Sequence, residues 1–138
     1  GGVAGAVHRA GDPELEQETR SLAPISPGDA VITSAPNLSN KHIIHCLGPV
    51  YGKDKPEDEL LAKCYKNALL LADRHQLESI AFPAISTGVF GYPMREAALV
   101  AFKSIRSVSA ELQNIRLVRF ILWKATDFNL HQNVLKEI

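Results

Sequence analysis

Two glycine-centred segments of the chain have the residue types that bind phosphate groups. One is residues 1–8 (GGVAGAVH), and the other is residues 86–90 (STGVF), which lie within the stretch FPAISTGVFGYP. Glycine has no Cβ, so backbone N–H groups beside it can approach an anion closely. A helix that starts after such a segment points its positive end at the same place. Each segment also has a simpler interpretation, the first as a flexible start of the chain and the second as an ordinary strand-to-helix turn.

The second segment adds side chains suited to a sugar phosphate. Ser86 and Thr87 offer hydroxyl groups, Gly88 permits close approach of the backbone, and Phe90 can cover the face of a sugar. The segment follows a predicted strand and precedes a predicted helix. In a parallel α/β sheet, ligands bind outside the carboxyl ends of the strands, and this pattern places the segment there.

The histidines do not suggest a metal centre. His42 and His45 are three residues apart on a predicted strand, so their side chains face opposite sides and do not form a ligand pair. His75 is predicted at the end of a helix, where it fits the helix dipole. His131 is predicted to lie on the surface. The sequence therefore predicts no bound metal ion and no redox cofactor.

Cys46 and Cys64 are predicted to be packed thiols rather than nucleophiles, because one lies in a strand and the other on the apolar face of a helix. Two cysteines without a CxxC pairing favour a reducing, intracellular location, cytoplasmic or nuclear. Tyr51 and Tyr92 follow loops, and two interpretations stay open for them: the rim of a cleft, or ordinary core or surface packing.

The elements that must position these residues follow from the apolar pattern. The clearest helix is predicted over residues 57–75. A strand is predicted over residues 78–85, within which residues 79–82 are apolar enough to be buried on both faces. Residues 1–11 are predicted as a loop running into a short helix. The other predicted elements are helices over 13–22, 94–110 and 127–136 and strands over 29–34, 41–47 and 115–123. From residue 57 onward helices and strands alternate, which predicts a mostly parallel sheet with helices on both faces.

Length and charge set outer limits on function. The chain has 138 residues, which suits one domain, and 46% of them are apolar. The charges of its 15 basic and 15 acidic side chains cancel, which argues against nonspecific electrostatic binding to nucleic acid or to a membrane surface. No apolar run approaches the roughly 20 residues that a membrane-spanning helix needs.

Four segments together resemble the macrodomain family, in order along essentially the whole chain. Residues 86–93 (STGVFGYP) are similar to its second phosphate loop, and residues 1–10 (GGVAGAVHRA) are similar to its first loop and the helix after it. Residues 28–33 (GDAVIT) and 44–51 (IHCLGPVY) resemble its two middle strands. The resemblance implies a single macrodomain over residues 1–138, a three-layer α/β/α fold with a central mixed, mostly parallel sheet, and a cleft for ADP-ribose.

The resemblance also implies which residues contact the ligand. The diphosphate and distal ribose would be held from one side by the first loop and from the other by the second. Phe128 is the best match to an aromatic residue that stacks on adenine, with Trp123 as the second candidate, although Trp123 at a strand end also suits a core or rim position. The implied ligand-binding residues are Gly1, Gly2, Val3, Ala4, Ser86, Thr87, Gly88, Val89, Phe90 and Phe128.

Two departures from the family pattern bear on catalysis. Macrodomains usually begin with further strands that supply an acidic adenine contact and a ribose-binding asparagine, so we expect this sequence to lack them. Many hydrolases of the family carry an aspartate where this chain has Ala4, which can neither position nor activate a water. His8 matches a histidine of the hydrolase branch. It is predicted either to take part in catalysis or to hydrogen-bond the loop from the helix.

The resemblance leaves two main functions open. The first is an enzyme that hydrolyses ADP-ribosyl or O-acetyl-ADP-ribose esters, with a water oriented by the ligand's own phosphate. The second is a non-catalytic reader of free or protein-linked ADP-ribose, which Ala4 favours. A generic nucleotide- or RNA-binding α/β domain is a third interpretation, and the zero net charge argues against RNA.

Overall fold

The computed structural model of the chain describes residues 2–11, 13–22 and 25–138. Helices and strands are mixed along these residues, as an α/β fold requires. The helices are α1 (Gly2–Gly11), α2 (Glu14–Leu22), α3 (Glu57–Arg74), α4 (Met94–Val108) and α5 (Ala125–Glu137), and a short 3₁₀ turn covers Ser109–Glu111. The strands are β1 (Ala30–Ser34), β2 (His42–Cys46), β3 (Ser79–Phe82) and β4 (Leu117–Phe120).

The strands form two ladders. β1 pairs antiparallel with β2, so that Ala30 lies opposite Cys46 and Ser34 lies opposite His42. β3 and β4 pair in parallel, with Phe82 beside Phe120. Because β3 and β4 run in the same direction, the loop that follows β3 and the segment that follows β4 emerge at the same edge of this ladder.

The core lies where α3 and α4 pack on β3. Leu61, Tyr65 and Ala68 share one face of α3, as their three-and-four spacing predicts, and each is at most 1% exposed. The Tyr65 ring meets the edge of the Phe82 ring with 4.9 Å between the centroids. This aromatic contact fixes the end of β3, from which the 86–90 segment departs. No helix within the described ranges combines the length and the apolar character that crossing a bilayer would need.

The prediction that β3 is buried on both faces is wrong. Phe82 is buried and Ile80 half-buried, whereas Ser79 and Ala81 are exposed. Side chains alternate along a strand, so one face of β3 meets α3 and α4 and no described residue covers the other. The apolar character of residues 79–82 therefore did not show that only every second side chain of the strand is packed.

The surface prediction for His131 is also wrong. Its side chain is 5% exposed and lies 5.9 Å, between ring centroids, from both Phe102 and Phe120. The buried ring has a hydrogen-bond partner on its own helix, because Nδ1 donates to the Asp127 carbonyl at 2.8 Å. His75 does lie at a helix end as predicted, with Nδ1 2.9 Å from the Leu71 carbonyl.

Asp73 fastens the end of α3 to the start of β4. Its carboxylate accepts backbone N–H groups from Gln113 at 3.0 Å, Asn114 at 2.7 Å and Ile115 at 3.0 Å. The Asn114 side-chain amide also donates to the Asp73 carbonyl at 2.9 Å. The Gln113 N–H, followed by those of Ile115 and Asn114, lowers the pKa of Asp73 below its usual 3.8. These bonds set where β4 begins beside β3.

Replacing Asp73 with alanine is expected to lower the melting temperature by roughly 5–10 °C at neutral pH, because three backbone N–H groups lose their acceptor. A lowered folded-state pKa stabilises the fold above about pH 4, and the stabilisation is lost as pH falls below that value. Thermal melts between pH 7 and pH 2 check both effects against the exposed control Glu111→Ala. An Asp73→Ala protein that melts like the wild type at pH 7 contradicts this role.

Candidate functional site

The segment after β3 is a compact double turn. Within it the Thr87 N–H donates to the Ala84 carbonyl at 3.3 Å, and the Gly91 N–H donates to the Gly88 carbonyl at 3.0 Å. The Tyr92 N–H then closes the segment on the Ser86 carbonyl at 2.9 Å. Ser86 holds a φ of 69°, a left-handed conformation that costs a non-glycine residue energy. Such strain persists only where the surrounding structure enforces it.

Residues 86–90 present backbone N–H groups without acceptors. Within the part of the chain that the structure describes, the N–H groups of Ser86, Gly88, Val89 and Phe90 donate to nothing. Gly88 and Val89 are exposed, Val89 by 99%, and a Cβ built on Gly88 would have no atom within 4 Å. Successive unpaired N–H groups in a turn form a concave surface that favours an anion. This edge of the fold is therefore suited to a phosphate group.

The two hydroxyl groups of the segment do not face outward, which corrects the prediction that they are offered to a ligand. Thr87 Oγ1 donates to the Ala84 carbonyl at 2.7 Å. Ser86 Oγ is buried and has no hydrogen-bond partner among the described residues. The Thr87 hydroxyl is therefore used within the turn, and the left-handed backbone of Ser86 directs the Ser86 hydroxyl inward. The donors left for a ligand are the backbone N–H groups.

Gly48 supports the segment from behind, a role that the sequence reading missed. It is buried just after β2, and a Cβ added to it would lie 2.6 Å from Ile85 Cγ2 and closer still to Ser86 Oγ. The Tyr51 N–H holds the far end of the segment by donating to the Phe90 carbonyl at 2.8 Å. In the sequence, Gly48-Pro49 marked only the end of a strand. A glycine there also signals close approach of another backbone.

The N-terminal glycine segment is helical rather than a loop, so that prediction is wrong for its described part. α1 already begins at Gly2, and Ala4 lies exposed in its first turn. Alanines at positions 4, 6 and 10 favour a helix strongly enough to offset the glycines. Gly1 lies outside the described residues. The helix packs on α2, and Gly2, Val3 and Ala4 occupy its positive end.

His8 lies on α1 against β2. Its ring centroid is 6.1 Å from that of His45, whose Nε2 is 3.0 Å from Thr33 Oγ1. A cavity of about 130 Å³ adjoins both histidines. Burial, followed by the charge of His8, lowers the pKa of His45, so His45 is neutral at physiological pH. This packing suits a structural role for His8, and its catalytic role stays a prediction.

The two aromatic candidates for stacking differ in exposure. Phe128 lies in the first turn of α5 and is 52% exposed, which leaves one ring face available. Trp123 is 95% exposed, so the core interpretation of this residue is wrong and only a rim position remains. Both follow β4, at the edge where the 86–90 segment also emerges.

The cysteines are packed thiols, as predicted. Cys64 is fully buried, and its Sγ donates to the Leu47 carbonyl at 3.2 Å. Burial raises the pKa of Cys46 to about 12 and that of Cys64 to about 11, so both remain protonated at neutral pH and are poor nucleophiles. Among the described residues, no three His, Cys, Asp or Glu side chains are grouped to hold a metal ion.

Comparison with protein families and curated proteins gives concordant matches. The family model described as Macro domain matches residues 1–101. A macro domain-containing protein of Chlorobaculum tepidum is 42% identical over 136 residues, which cover 98% of this chain and 79% of the relative. A protein of Cronobacter sakazakii named O-acetyl-ADP-ribose deacetylase is 39% identical, over 98% of this chain and 78% of its own length.

Solved structures match over nearly the entire chain. A mutant Oceanobacillus iheyensis macrodomain with ADP-ribose superposes with a TM-score of 0.93 at 38% identity, covering 99% of this chain and 77% of that one. A Trypanosoma brucei macrodomain in complex with ADP-ribose superposes with a TM-score of 0.89 at 29% identity, covering 98% of this chain and 57% of that one.

Proposed function

The chain belongs to the Macro domain family, and we propose that it binds ADP-ribose and hydrolyses ADP-ribosyl or O-acetyl-ADP-ribose esters. The predicted α/β macrodomain fold is confirmed by the structural matches. The observation that carries the proposal is the run of unpaired backbone N–H groups at Ser86, Gly88, Val89 and Phe90. A diphosphate supplies the acceptor oxygens that these donors lack.

Binding would use the two segments as opposite walls. The N–H groups of residues 86–90 hold the diphosphate from one side, and Phe90 packs on a sugar face. From the other side, the first turn of α1, with Gly2, Val3 and Ala4, directs its positive end at the ligand. Gly1, which lies outside the described residues, stays a predicted ligand contact. Solved macrodomain structures with ADP-ribose and with ADP support a ligand of this kind.

Phe128 would stack on adenine, and replacing it with alanine is expected to weaken ADP-ribose binding about tenfold. A base stacked on an aromatic side chain contributes roughly 1–3 kcal/mol. Trp123→Ala is the matched comparison, since it removes a more exposed aromatic ring from the same edge of the fold. Calorimetric titration of both variants measures the difference. If Trp123→Ala weakens binding and Phe128→Ala does not, the adenine contact is assigned to the wrong residue.

The hydrolysis would need no covalent intermediate and no metal. A water held between the distal ribose and the diphosphate attacks the ester carbonyl carbon, and the bond from that carbon to the ribose oxygen breaks. A proton from the water ends on that ribose oxygen, so ADP-ribose leaves with its hydroxyl restored, and the acetic acid formed ionises to acetate. Ala4 cannot act as a base, so the ligand's phosphate orients the water. Backbone N–H groups then stabilise the developing negative charge. Relatives named O-acetyl-ADP-ribose deacetylase support this activity.

Release of ADP-ribose from O-acetyl-ADP-ribose, followed by chromatography, tests the enzymatic part of the proposal. We expect turnover by the wild type and a decrease of tenfold or more in His8→Gln, if His8 moves a proton in the reaction. Full activity in His8→Gln would assign the residue to packing against His45. Tight binding without turnover on this ester and on mono-ADP-ribosylated protein would leave the reader function, which the apolar, exposed Ala4 favours.

We propose further that residues 1–138 act as a single macrodomain in an intracellular compartment, cytoplasmic or nuclear. The low cysteine count and the free state of both Cys46 and Cys64 support a reducing environment. The partners would then be free ADP-ribose, O-acetyl-ADP-ribose or an ADP-ribosylated protein, rather than nucleic acid.

A further inference from the structure

A cavity of about 370 Å³ lies between the first turns of α3 and α4. Its polar lining consists of two tyrosines and three carboxylates: Tyr51, Tyr92, Glu57, Asp58 and Glu96. We propose that this acidic cavity binds the guanidinium group of an arginine side chain presented by a protein partner. The proposal is independent of ADP-ribose binding, because none of residues 86–90 lines the cavity.

The charge of the acidic cavity is one-sided. Among the described residues, those that line the cavity include carboxylates from two helices and no basic side chain. One oxygen of the Glu57 carboxylate already has a partner, since Oε2 accepts the Gly52 N–H at 2.9 Å. The Glu96 carboxylate forms no hydrogen bond or ion pair with any residue that the structure describes. The positive ends of α3 and α4 stabilise these carboxylates. No cation from a described residue lies at the open side of the cavity.

Tyr92 points independently to a ligand. Its side chain is only 5% exposed and packs on the Tyr51 ring with 4.9 Å between the centroids, yet its hydroxyl has no hydrogen-bond partner among the described residues. Burial, followed by the charges of Asp58 and Glu57, raises the pKa of Tyr92 to about 12. The hydroxyl therefore stays protonated and lies among the cavity's carboxylates. The hydroxyl itself keeps contact with solvent at the cavity surface, so a bound N–H donor would take the place of water there.

Size and shape favour a guanidinium over a metal ion or an ammonium. A space of about 370 Å³ lies at the lower end of the range of organic ligand sites and far exceeds a bare cation. Tyr51 is 45% exposed and offers a ring face on which a planar cation can stack. A guanidinium stacks and donates several N–H groups in one plane, whereas an ammonium is a compact point charge. Flanking carboxylates and a stacking ring therefore suit a planar guanidinium better than an ammonium.

The acidic cavity shares its tyrosine wall with the diphosphate segment. The Tyr51 N–H donates to the Phe90 carbonyl, and the Tyr92 N–H donates to the Ser86 carbonyl. The side chains of both tyrosines line the cavity, so the two sites lie back to back. A protein whose arginine occupies the cavity would therefore lie next to residues 86–90 without using their N–H groups.

A titration followed by nuclear magnetic resonance tests the proposal on isotope-labelled protein without ADP-ribose. The probe is N-acetyl-arginine amide, and N-acetyl-citrulline amide has nearly the same shape without the charge. We expect saturable shifts at Tyr92 and Glu96 with the arginine probe at millimolar concentration, and none with citrulline. N-acetyl-lysine amide should bind at least threefold more weakly. Absence of saturable shifts, or equal binding of citrulline or lysine, overturns the proposal.

Matched variants locate the probe. Glu96→Gln is expected to weaken arginine binding roughly two- to fivefold, as for removal of one partly exposed charge, and Tyr92→Phe should weaken it while keeping the ring. Glu59→Gln also removes one negative charge, from the first turn of α3 beside Glu57 and Asp58, but Glu59 does not line the cavity. An equal loss in Glu59→Gln would mean that only the general negative field attracts the probe, which contradicts a built site.

Discussion

Replacing Gly88 with valine is expected to weaken ADP-ribose binding at least a hundredfold, or about 2.7 kcal/mol, while the protein melts as the wild type does. The described part of the free protein has room for the new side chain, since a Cβ on Gly88 meets no atom of it within 4 Å. Gly88 also has no positive φ that a branched residue would strain. The open space is the place where the proposed diphosphate lies. The added side chain therefore excludes the ligand rather than disturbing the fold.

Calorimetric titration and a thermal melt of the same Gly88→Val sample separate these two effects. Val89→Ala is the control: it removes a side chain that is 99% exposed and keeps the backbone N–H, so ADP-ribose affinity should change less than threefold. Wild-type affinity in Gly88→Val would mean that the ligand does not approach this part of the backbone.

Replacing Gly48 with alanine is expected to have the opposite pattern, with loss of stability together with loss of binding. The new Cβ would lie 2.6 Å from Ile85 Cγ2 and closer to Ser86 Oγ, so the turn that carries the N–H groups must shift. Overpacking of a buried position costs about 1–3 kcal/mol. Because Ser86 starts the N–H run, we expect ADP-ribose affinity to fall at least thirtyfold. Chemical denaturation and calorimetry measure the two quantities.

A second-site variant tests whether the contact with Ser86 causes this effect. Ser86→Gly removes the crowded hydroxyl and suits the φ of 69° at this position. The double variant Gly48→Ala/Ser86→Gly should therefore be less destabilised than Gly48→Ala alone. The remaining contact with Ile85 makes the rescue partial. If the double variant is at least as unstable as Gly48→Ala, crowding against Ser86 is not the cause.

Elements set by local periodicity were predictable from the sequence. The helix predicted over residues 57–75 is α3, because Leu61, Tyr65 and Ala68 repeat at helical spacing and each is buried. The segment 86–90 was also predicted as a ligand site from the sequence, and this assignment stays a prediction. Its residue types and its place between a strand and a helix are visible in the sequence.

Features that depend on contacts between distant segments were not predictable. Gly48 and Ser86 are 38 positions apart, and only the fold shows that they touch. His131 looked like a surface residue because its own helix is polar, yet Phe102 and Phe120 enclose it. The hydroxyls of Ser86 and Thr87 suggested ligand contacts by their chemistry, and the turn directs both inward.

Backbone N–H groups of residues 86–90 are proposed to hold the diphosphate of ADP-ribose. Titration of the wild-type protein with ADP-ribose, ADP and AMP in a calorimeter tests it most directly, because AMP keeps the adenine and loses the diphosphate. We expect one site with a Kd in the micromolar range or tighter for ADP-ribose, retained binding of ADP, and binding of AMP at least tenfold weaker than that of ADP. No heat with ADP-ribose at millimolar concentration, or equal affinity for AMP and ADP, would contradict it.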